Sequence, residues 1–194
     1  MRINKDSELF AGTRGGGLFI SFDYGKTWEK RTNEFGEESN ITDLALYRDP
    51  DIMLAGTGYG GMYKSEDKGK TWRKLESFKS TKAIYPIKLL NNNIICGTEG
   101  DGIFSSNDCG ETWNDITNNL PSKTIKSILI SPQDDIIYLG TTDGVFYSDD
   151  GGQIWSDMNY GLGDSNLSIN DLNFISNDSI IASTTHGIFY YQIN

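Results

Sequence analysis

The chain has 194 residues, of which 37% are hydrophobic, 12% aromatic and 23% charged, so it is too rich in aromatic residues to be disordered and can form one or two folded cores. The 17 Lys and Arg residues against 27 Asp and Glu residues give a formal net charge of −10 at pH 7, which argues against nucleic acid or an anionic membrane surface as a partner. No apolar run could span a membrane, and Cys96, Cys109 and His186 are too few for a zinc site, so neither a metal nor a cofactor is expected.

The first six residues contain no apolar stretch of the kind that a secretory signal carries. The chain as written is therefore predicted to be cytoplasmic. Secretion is expected only if the sequence was cut from a longer precursor that carries a signal.

An eight-residue segment, called the box below, occurs four times, beginning at Ser21, Ser65, Ser106 and Ser148. The boxes begin 41 to 44 residues apart and contain all 4 tryptophans. A fixed spacing of this size indicates a repeated structural unit. The recurring residues of the boxes are Ser21, Asp23, Gly25, Trp28, Ser65, Asp67, Gly69, Trp72, Ser106, Asp108, Gly110, Trp113, Ser148, Asp150, Gly152 and Trp155.

Each box follows a short apolar segment that ends in Gly-Thr and a Gly-rich turn. A fifth copy, ending in Ser183-Thr184, has no box after it. Four units also have an apolar run upstream, which begins at Ile41, Ile84, Ile125 or Ile169. Short β-branched runs bounded by turn residues predict strands. We name them A to D in each unit, and in the second unit they are expected at about 41–48, 52–57, 61–66 and 70–76.

Four short antiparallel strands in a 40–45-residue period are typical of a β-propeller blade. The prediction is an all-β fold: a single β-propeller domain over residues 1–194, with about five four-stranded antiparallel blades. The units lie at approximately 1–33, 41–76, 84–118, 125–158 and 169–194. Because strand A of the first unit is a stub and the last unit lacks strand D, three arrangements stay open. They are a closed five-bladed ring, an incomplete ring completed by another chain in a homo-oligomer, and a fragment of a larger propeller.

The pattern Ser-x-Asp-x-Gly-x-Thr-Trp between strands C and D resembles the Asp-box (BNR) repeat of sialidase-like β-propellers. The segment Asn118-Asn119-Leu120-Pro121 is also similar to bacterial repeats of that group, and the similarity covers nearly the whole chain. In the box, Asp and Ser can accept hydrogen bonds from turn N–H groups, Gly can adopt a positive φ and Trp can pack under the turn. The spacing of carboxylates does not match a calcium loop, so a structural role is predicted for the boxes.

The B–C turns and the starts of the A strands are expected on one face of the propeller, opposite the boxes. The B–C turns carry a different polar group in each unit, which suits a site for an asymmetric ligand. Tyr59, between two glycines, could stack on a sugar or a side chain, and His186 is the only residue of the type that changes charge near pH 7. The candidate ligand-binding residues are Arg14, Tyr59, Asp101, Asp143 and His186, with Asp43 and Asp171 from the A strands. The alternative is that these residues are ordinary solvated turn residues.

Resemblance to sialidases would imply a substrate-binding arginine cluster, but no arginine follows Arg73, so no catalytic residue is carried over. A different glycoside hydrolase would need two carboxylates about 5–5.5 Å or about 6.5–9.5 Å apart, for which Asp43, Asp101, Asp143 and Asp171 are candidates. The favoured prediction is a non-catalytic binding or scaffolding propeller that recognises a protein segment or a carbohydrate on the B–C-turn face. A glycoside hydrolase of the sialidase-like type is the alternative.

Overall fold

A computed structural model of the chain describes residues 1–4, 7–31, 35, 40–47, 52–90, 92–163 and 167–193. These ranges contain 19 strands in five antiparallel sheets. No helix in them is long and apolar enough to cross a membrane.

The strands follow the chain order from sheet to sheet. The first sheet contains β1 (Arg2–Ile3), β2 (Leu9–Thr13), β3 (Gly17–Ser21) and β4 (Glu29–Arg31), and the second contains β5 (Ile41–Leu46), β6 (Met53–Thr57), β7 (Met62–Ser65) and β8 (Arg73–Lys74). The third contains β9 (Ile84–Leu90), β10 (Asn93–Thr98), β11 (Ile103–Ser106) and β12 (Asn114–Asp115). The fourth contains β13 (Ile125–Ile130), β14 (Ile137–Thr141), β15 (Gly144–Ser148) and β16 (Ser156–Asp157), and the fifth contains β17 (Ile169–Ser176), β18 (Ser179–Thr184) and β19 (Ile188–Gln192).

In every sheet, neighbouring strands are also neighbours along the chain. This meander confirms the predicted all-β fold of repeated four-stranded units. The first four sheets have four strands, and the fifth has three because its outer strand is missing from the described residues. The fourth strands are only two or three residues long, so most of each sheet consists of its first three strands.

Consecutive sheets pack face to face through apolar side chains. The contact of the first and second sheets buries Phe10, Ile20, Met53 and Trp72, and comparable clusters join the second to the third, the third to the fourth and the fourth to the fifth sheet. Each box tryptophan in these contacts packs onto the preceding sheet. Trp28 is 39% exposed because no sheet of the described residues precedes it, whereas Trp72 is 6% exposed.

A glycine near the end of the second strand in each of the first four sheets lets the next sheet approach closely. A Cβ added at Gly56 would lie 2.8 Å from the Ile84 carbonyl oxygen, and one at Gly140 would lie 2.6 Å from Ile169 Cγ2. Gly12 and Gly97 lie equally close to the first strand of the next sheet, at Ile41 and Ile125. The fifth sheet has Ser183 at this position. The glycine of the Gly-Thr motif therefore marks a contact between sheets.

The first and fifth sheets make no extended contact with each other among the described residues, whereas every consecutive pair of sheets does. Their outward faces are correspondingly exposed: Ile3 is 59% exposed on the first sheet, and Ile188 and Tyr190 are 74% and 58% exposed on the fifth. The described residues thus form an open series of five sheets. Within the part of the chain that the structure describes, the terminal sheets do not close a five-bladed ring.

Candidate ligand-binding face

The B–C turns and the starts of the A strands lie at the same end of the sheets. These A strands, called the inner strands below, are β5, β9, β13 and β17. Ile41 pairs with Thr57, Ile84 with Thr98, Ile125 with Thr141 and Ile169 with Thr184, so each inner strand begins beside the turn that follows the second strand. We call this end the B–C-turn face. It comprises residues 14–16, 58–60, 99–101, 142–143 and 185–186 of the turns, with 42–43, 85–86, 126–127 and 170–171 of the inner strands.

The threonine of each Gly-Thr motif shapes the turn that follows it. The hydroxyl of Thr57 donates to the Gly61 carbonyl at 3.0 Å, and that of Thr98 donates to the Gly102 carbonyl at 2.8 Å. Thr13, Thr141 and Thr184 make the corresponding bond. Sequence reasoning used these threonines only to recognise the repeat, although their recurrence before every turn was a signal of this role.

The inner strands are irregular at the B–C-turn face. The pairing of the second, fourth and fifth sheets shifts register at Thr42, Lys126 and Asn170. Such bulges leave one residue out of the ladder and change the direction of its side chain. The Thr42 hydroxyl donates to the Ile84 carbonyl at 2.5 Å, and Lys126 Nζ donates to Ser168 Oγ at 3.1 Å. The bulged residues therefore join neighbouring sheets at their inner edge.

Asp43 of the second sheet forms hydrogen bonds with the first and third sheets. One carboxylate oxygen accepts from the Arg2 guanidinium of the first sheet at 2.8 Å, and the other accepts from the Ile87 N–H of the third sheet at 2.8 Å. Asp171 accepts from Ser127 Oγ of the fourth sheet at 2.8 Å and from Asn173 Nδ2 at 2.9 Å. The structure does not bring Asp43 and Asp171 together, because the third and fourth sheets lie between them. Both carboxylates are occupied by contacts within the protein.

Asp101 is also engaged, since its carboxylate accepts from Ser80 Oγ at 2.9 Å. Asp143 and Arg14 differ, because their exposed side chains have no ion pair or hydrogen bond to any described residue. Tyr59 is 68% exposed. His186 is exposed, with Nδ1 2.9 Å from Thr185 Oγ1. Five of the seven candidate residues, Arg14, Tyr59, Asp143, Asp171 and His186, are thus exposed at the B–C-turn face. The carboxylate of Asp171, like those of Asp43 and Asp101, accepts hydrogen bonds from within the protein.

One aromatic residue at this face has a perturbed acidity. Burial raises the pKa of the Tyr85 hydroxyl, and the carboxylate of Glu99 raises it further. Tyr85 therefore remains a neutral hydrogen-bonding group at physiological pH. Among the described residues, no three His, Cys, Asp or Glu side chains lie close enough together to hold a metal ion.

The boxes lie at the opposite end of the sheets and use their polar groups internally. Ser106 Oγ donates to Asp108 at 2.8 Å and accepts from the Gly110 N–H at 2.9 Å. Asp108 also accepts from the hydroxyl and the N–H of Thr112, at 2.5 and 2.9 Å. Gly110 has φ 87, which a residue with a side chain rarely adopts. These contacts account for the recurring Ser, Asp and Gly.

The boxes make stability sensitive to acid. The hydroxyl of Thr112, followed by its N–H, lowers the pKa of Asp108 from 3.8 to about 2, and the pKa values of Asp23, Asp67 and Asp150 are also lowered. A lowered folded-state pKa stabilises the protein above pH 4, and this stabilisation is lost as the pH falls towards 2. We expect the melting temperature to fall over this interval, and to fall less in Asp108→Asn than in the control Asp143→Asn. Equal acid sensitivity of the two variants would contradict this role of the box.

Comparison with solved structures identifies the fold. No protein-family model matches the chain, and no curated protein matches it. An ancestral GH74 enzyme is 17% identical with a TM-score of 0.80 and covers 100% of this chain and 30% of its own. YCF48 bound to D1 peptide is 17% identical with a TM-score of 0.72 and covers 93% of this chain and 60% of its own. The extracellular domain of a putative hybrid two component system from B. thetaiotaomicron is 20% identical with a TM-score of 0.80. The match covers 98% of this chain and 26% of that protein.

The chain therefore has a β-propeller fold and spans less than two thirds of the length of each of these three proteins. At these identities the likeness concerns the fold alone.

Proposed function

We propose that this chain is a non-catalytic binding propeller of the Asp-box (BNR), sialidase-like type, and that its B–C-turn face recognises a segment of another protein. The observation that carries the proposal is the set of exposed, uncommitted side chains on that face. Tyr59, between Gly58 and Gly60, offers an aromatic ring that is 68% exposed, and Arg14 on the adjacent sheet offers an exposed guanidinium that pairs with no described residue. Tyr and Arg are the residue types that most often dominate binding energy at protein interfaces.

Two of the neighbouring structures are in keeping with a binding role. YCF48 is bound to D1 peptide, and the B. thetaiotaomicron protein is the extracellular domain of a putative hybrid two component system. Asp143 and His186 add an anionic and a second aromatic group to the same face of this chain, on the fourth and fifth sheets. A partner that touches several sheets would therefore meet groups of different charge, which favours one orientation.

Carbohydrate is the second ligand class, because an exposed tyrosine can also stack on a sugar ring. A glycoside hydrolase remains the alternative activity, and the fold of the GH74 enzyme is its support. Against it stand the contacts of Asp43, Asp101 and Asp171, whose carboxylates are held by neighbouring strands and turns. Turnover of aryl-glycosides that is lost in Asp143→Asn would favour the hydrolase.

The proposal is tested by screening the purified chain against a random peptide display library and a glycan array. The Arg14→Ala/Tyr59→Ala variant should bind selected peptides at least about tenfold more weakly, as expected for loss of a hot spot. Tyr24→Ala is the matched control, because Tyr24 is 76% exposed but lies in a box turn at the opposite end. Unchanged peptide binding by the double variant would overturn the assignment of this face, and binding of glycans alone would identify a carbohydrate module.

A further inference from the structure

The four boxes and the outer strands that follow them differ sharply in charge. In the first two copies, residues 21–31 and 65–75, there are seven Lys or Arg and four Asp or Glu. In the last two copies, residues 106–116 and 148–158, there are six Asp or Glu and no Lys or Arg. We call the first two copies the basic boxes and the last two the acidic boxes. Because all four boxes lie at the same end of the sheets, this face of the protein has a basic half and an acidic half.

The contact of the second and third sheets shows how box charges can be satisfied within the chain. Lys64 Nζ lies 2.9 Å from a carboxylate oxygen of Glu66 and 2.8 Å from one of Glu111. Arg73 pairs with the same oxygen of Glu111. These four groups therefore form a network across the two sheets and have partners within the protein.

The equivalent contact of the first and second sheets leaves its cations without partners. Lys70 occupies the position that Glu111 has in the third box. Its exposed ammonium group, like those of Lys26 and Lys30, forms no ion pair or hydrogen bond with any residue that the structure describes. In the acidic boxes, the exposed carboxylate of Asp149 is likewise unpaired within the described ranges. Both halves of the face therefore have charges available to a partner.

Each half also exposes an apolar side chain at a box position that the other units fill with polar residues. Phe22 is 53% exposed where the other boxes have Glu, Asn or Asp, and Ile154 is 62% exposed where they have Thr. The equivalents of both residues are also exposed, including those in the second and third boxes, which have a sheet on either side. The exposure of Phe22 and Ile154 therefore comes from their positions within the box and does not depend on where the chain begins or ends.

We propose that a second copy of this chain binds the box face in the antiparallel orientation, so that the basic boxes of each copy meet the acidic boxes of the other. A twofold axis makes the two contacts identical and closes the pair. Phe22 of one copy and Ile154 of the other then lose exposed apolar surface in the same contact. Two copies of net charge −10 repel each other at a distance, so the association depends on these local charge and apolar contacts.

A second copy fits this face better than a partner of one charge. An acidic protein would be repelled by the acidic boxes and a basic protein by the basic boxes, whereas a second copy offers both halves in the complementary arrangement. The pairing leaves the two B–C-turn faces free, so the pair can bind two partner segments at once. The inference does not depend on the proposed function, because the boxes and the B–C turns lie at opposite ends of the sheets.

Sedimentation equilibrium of the whole chain, from about 10 µM to about 1 mM, tests the pairing. The mass should rise from 21.6 kDa towards twice that value. Lys26→Glu/Lys70→Glu and Asp149→Lys/Asp157→Lys should each raise the dissociation constant at least about tenfold, because each brings like charges into contact. The fold should tolerate these changes, since Glu stands at the position of Lys70 in the third box and Lys at the position of Asp157 in the first two copies.

The sharpest test mixes the two charge-reversed chains. Each should stay monomeric alone, but a 1:1 mixture should regain the doubled mass, because the reversed basic boxes of one chain now match the reversed acidic boxes of the other. Ile154→Thr, which restores the residue of the other boxes, should also weaken the pairing. The matched control is Lys123→Glu/Asp143→Lys, which reverses two exposed charges at the B–C-turn face and should associate as the wild type does.

Four results would overturn the proposal. They are a wild type that keeps a mass of 21.6 kDa at about 1 mM, a pairing that survives either charge reversal, a mixture of the reversed chains that stays monomeric, and a loss of pairing in the B–C-turn control. A mass that grows beyond two copies would replace the closed pair by an open chain of copies. Circular dichroism melting curves of all variants establish that each one is folded.

Discussion

Replacing Trp72 by alanine is expected to lower the free energy of unfolding by about 3–5 kcal/mol, the usual cost of deleting a buried aromatic side chain. Trp72 is 6% exposed and packs between its own turn and the preceding sheet. Its ring lies 5.3 Å from that of Phe35, and its Nε1 donates to the Gly69 carbonyl at 3.1 Å. Guanidinium denaturation of wild type and variant, followed by circular dichroism, measures the difference.

Trp28 provides the matched control for this experiment. It has the same place in its box, and its Nε1 donates to the Gly25 carbonyl at 3.2 Å. It is 39% exposed, however, because the first sheet has no described sheet in front of it. Trp28→Ala is therefore expected to cost less than about 1 kcal/mol. Equal losses for the two variants would mean that the turn contacts, not the packing between sheets, determine the contribution of the box tryptophan.

Gly56→Ala is expected to destabilise the protein by about 1–3 kcal/mol, because the added methyl group overfills a close contact between sheets. The new Cβ would lie 2.8 Å from a backbone oxygen of Ile84 and 2.9 Å from its Cγ2. Relief requires movement of a β-strand backbone, not only rotation of a side chain. The shift of the denaturation midpoint at constant slope measures the cost.

Ser183→Ala is the corresponding change in the fifth sheet, where no further sheet approaches among the described residues. Its effect is expected to stay within about 0.5 kcal/mol. If Gly56→Ala were as mild as Ser183→Ala, the close approach of the second and third sheets would not require glycine, and the explanation of the Gly-Thr motif would fail.

The proposed B–C-turn site lies where the repeat changes. Residues that recur from unit to unit, such as the Asp of the four boxes and the turn Thr, make hydrogen bonds inside their own turns. Tyr59 and Arg14 lie where the units differ. The repeated residues stabilise the scaffold, and the departures from the repeat leave groups free for a partner.

The sequence by itself determined the all-β class, the order of the strands and the positions of the boxes. These features depend on interactions within about ten residues, such as alternating apolar side chains, Gly at positive φ and hydrogen bonds inside a turn, and each was repeated four or five times along the chain. The difference in burial between Trp72 and Trp28 did not follow from the local pattern, because both occupy the same place in equivalent boxes.

Only the tertiary structure decided which polar side chains are hydrogen-bonded within the protein and which are available to a ligand. Asp43 and Asp171 were candidates for a ligand, but each is held by residues about 40 positions away, in Arg2, Ile87 and Ser127. Such contacts depend on how neighbouring sheets are placed in space, and the spacing of residues along the chain does not encode that placement in any local signal.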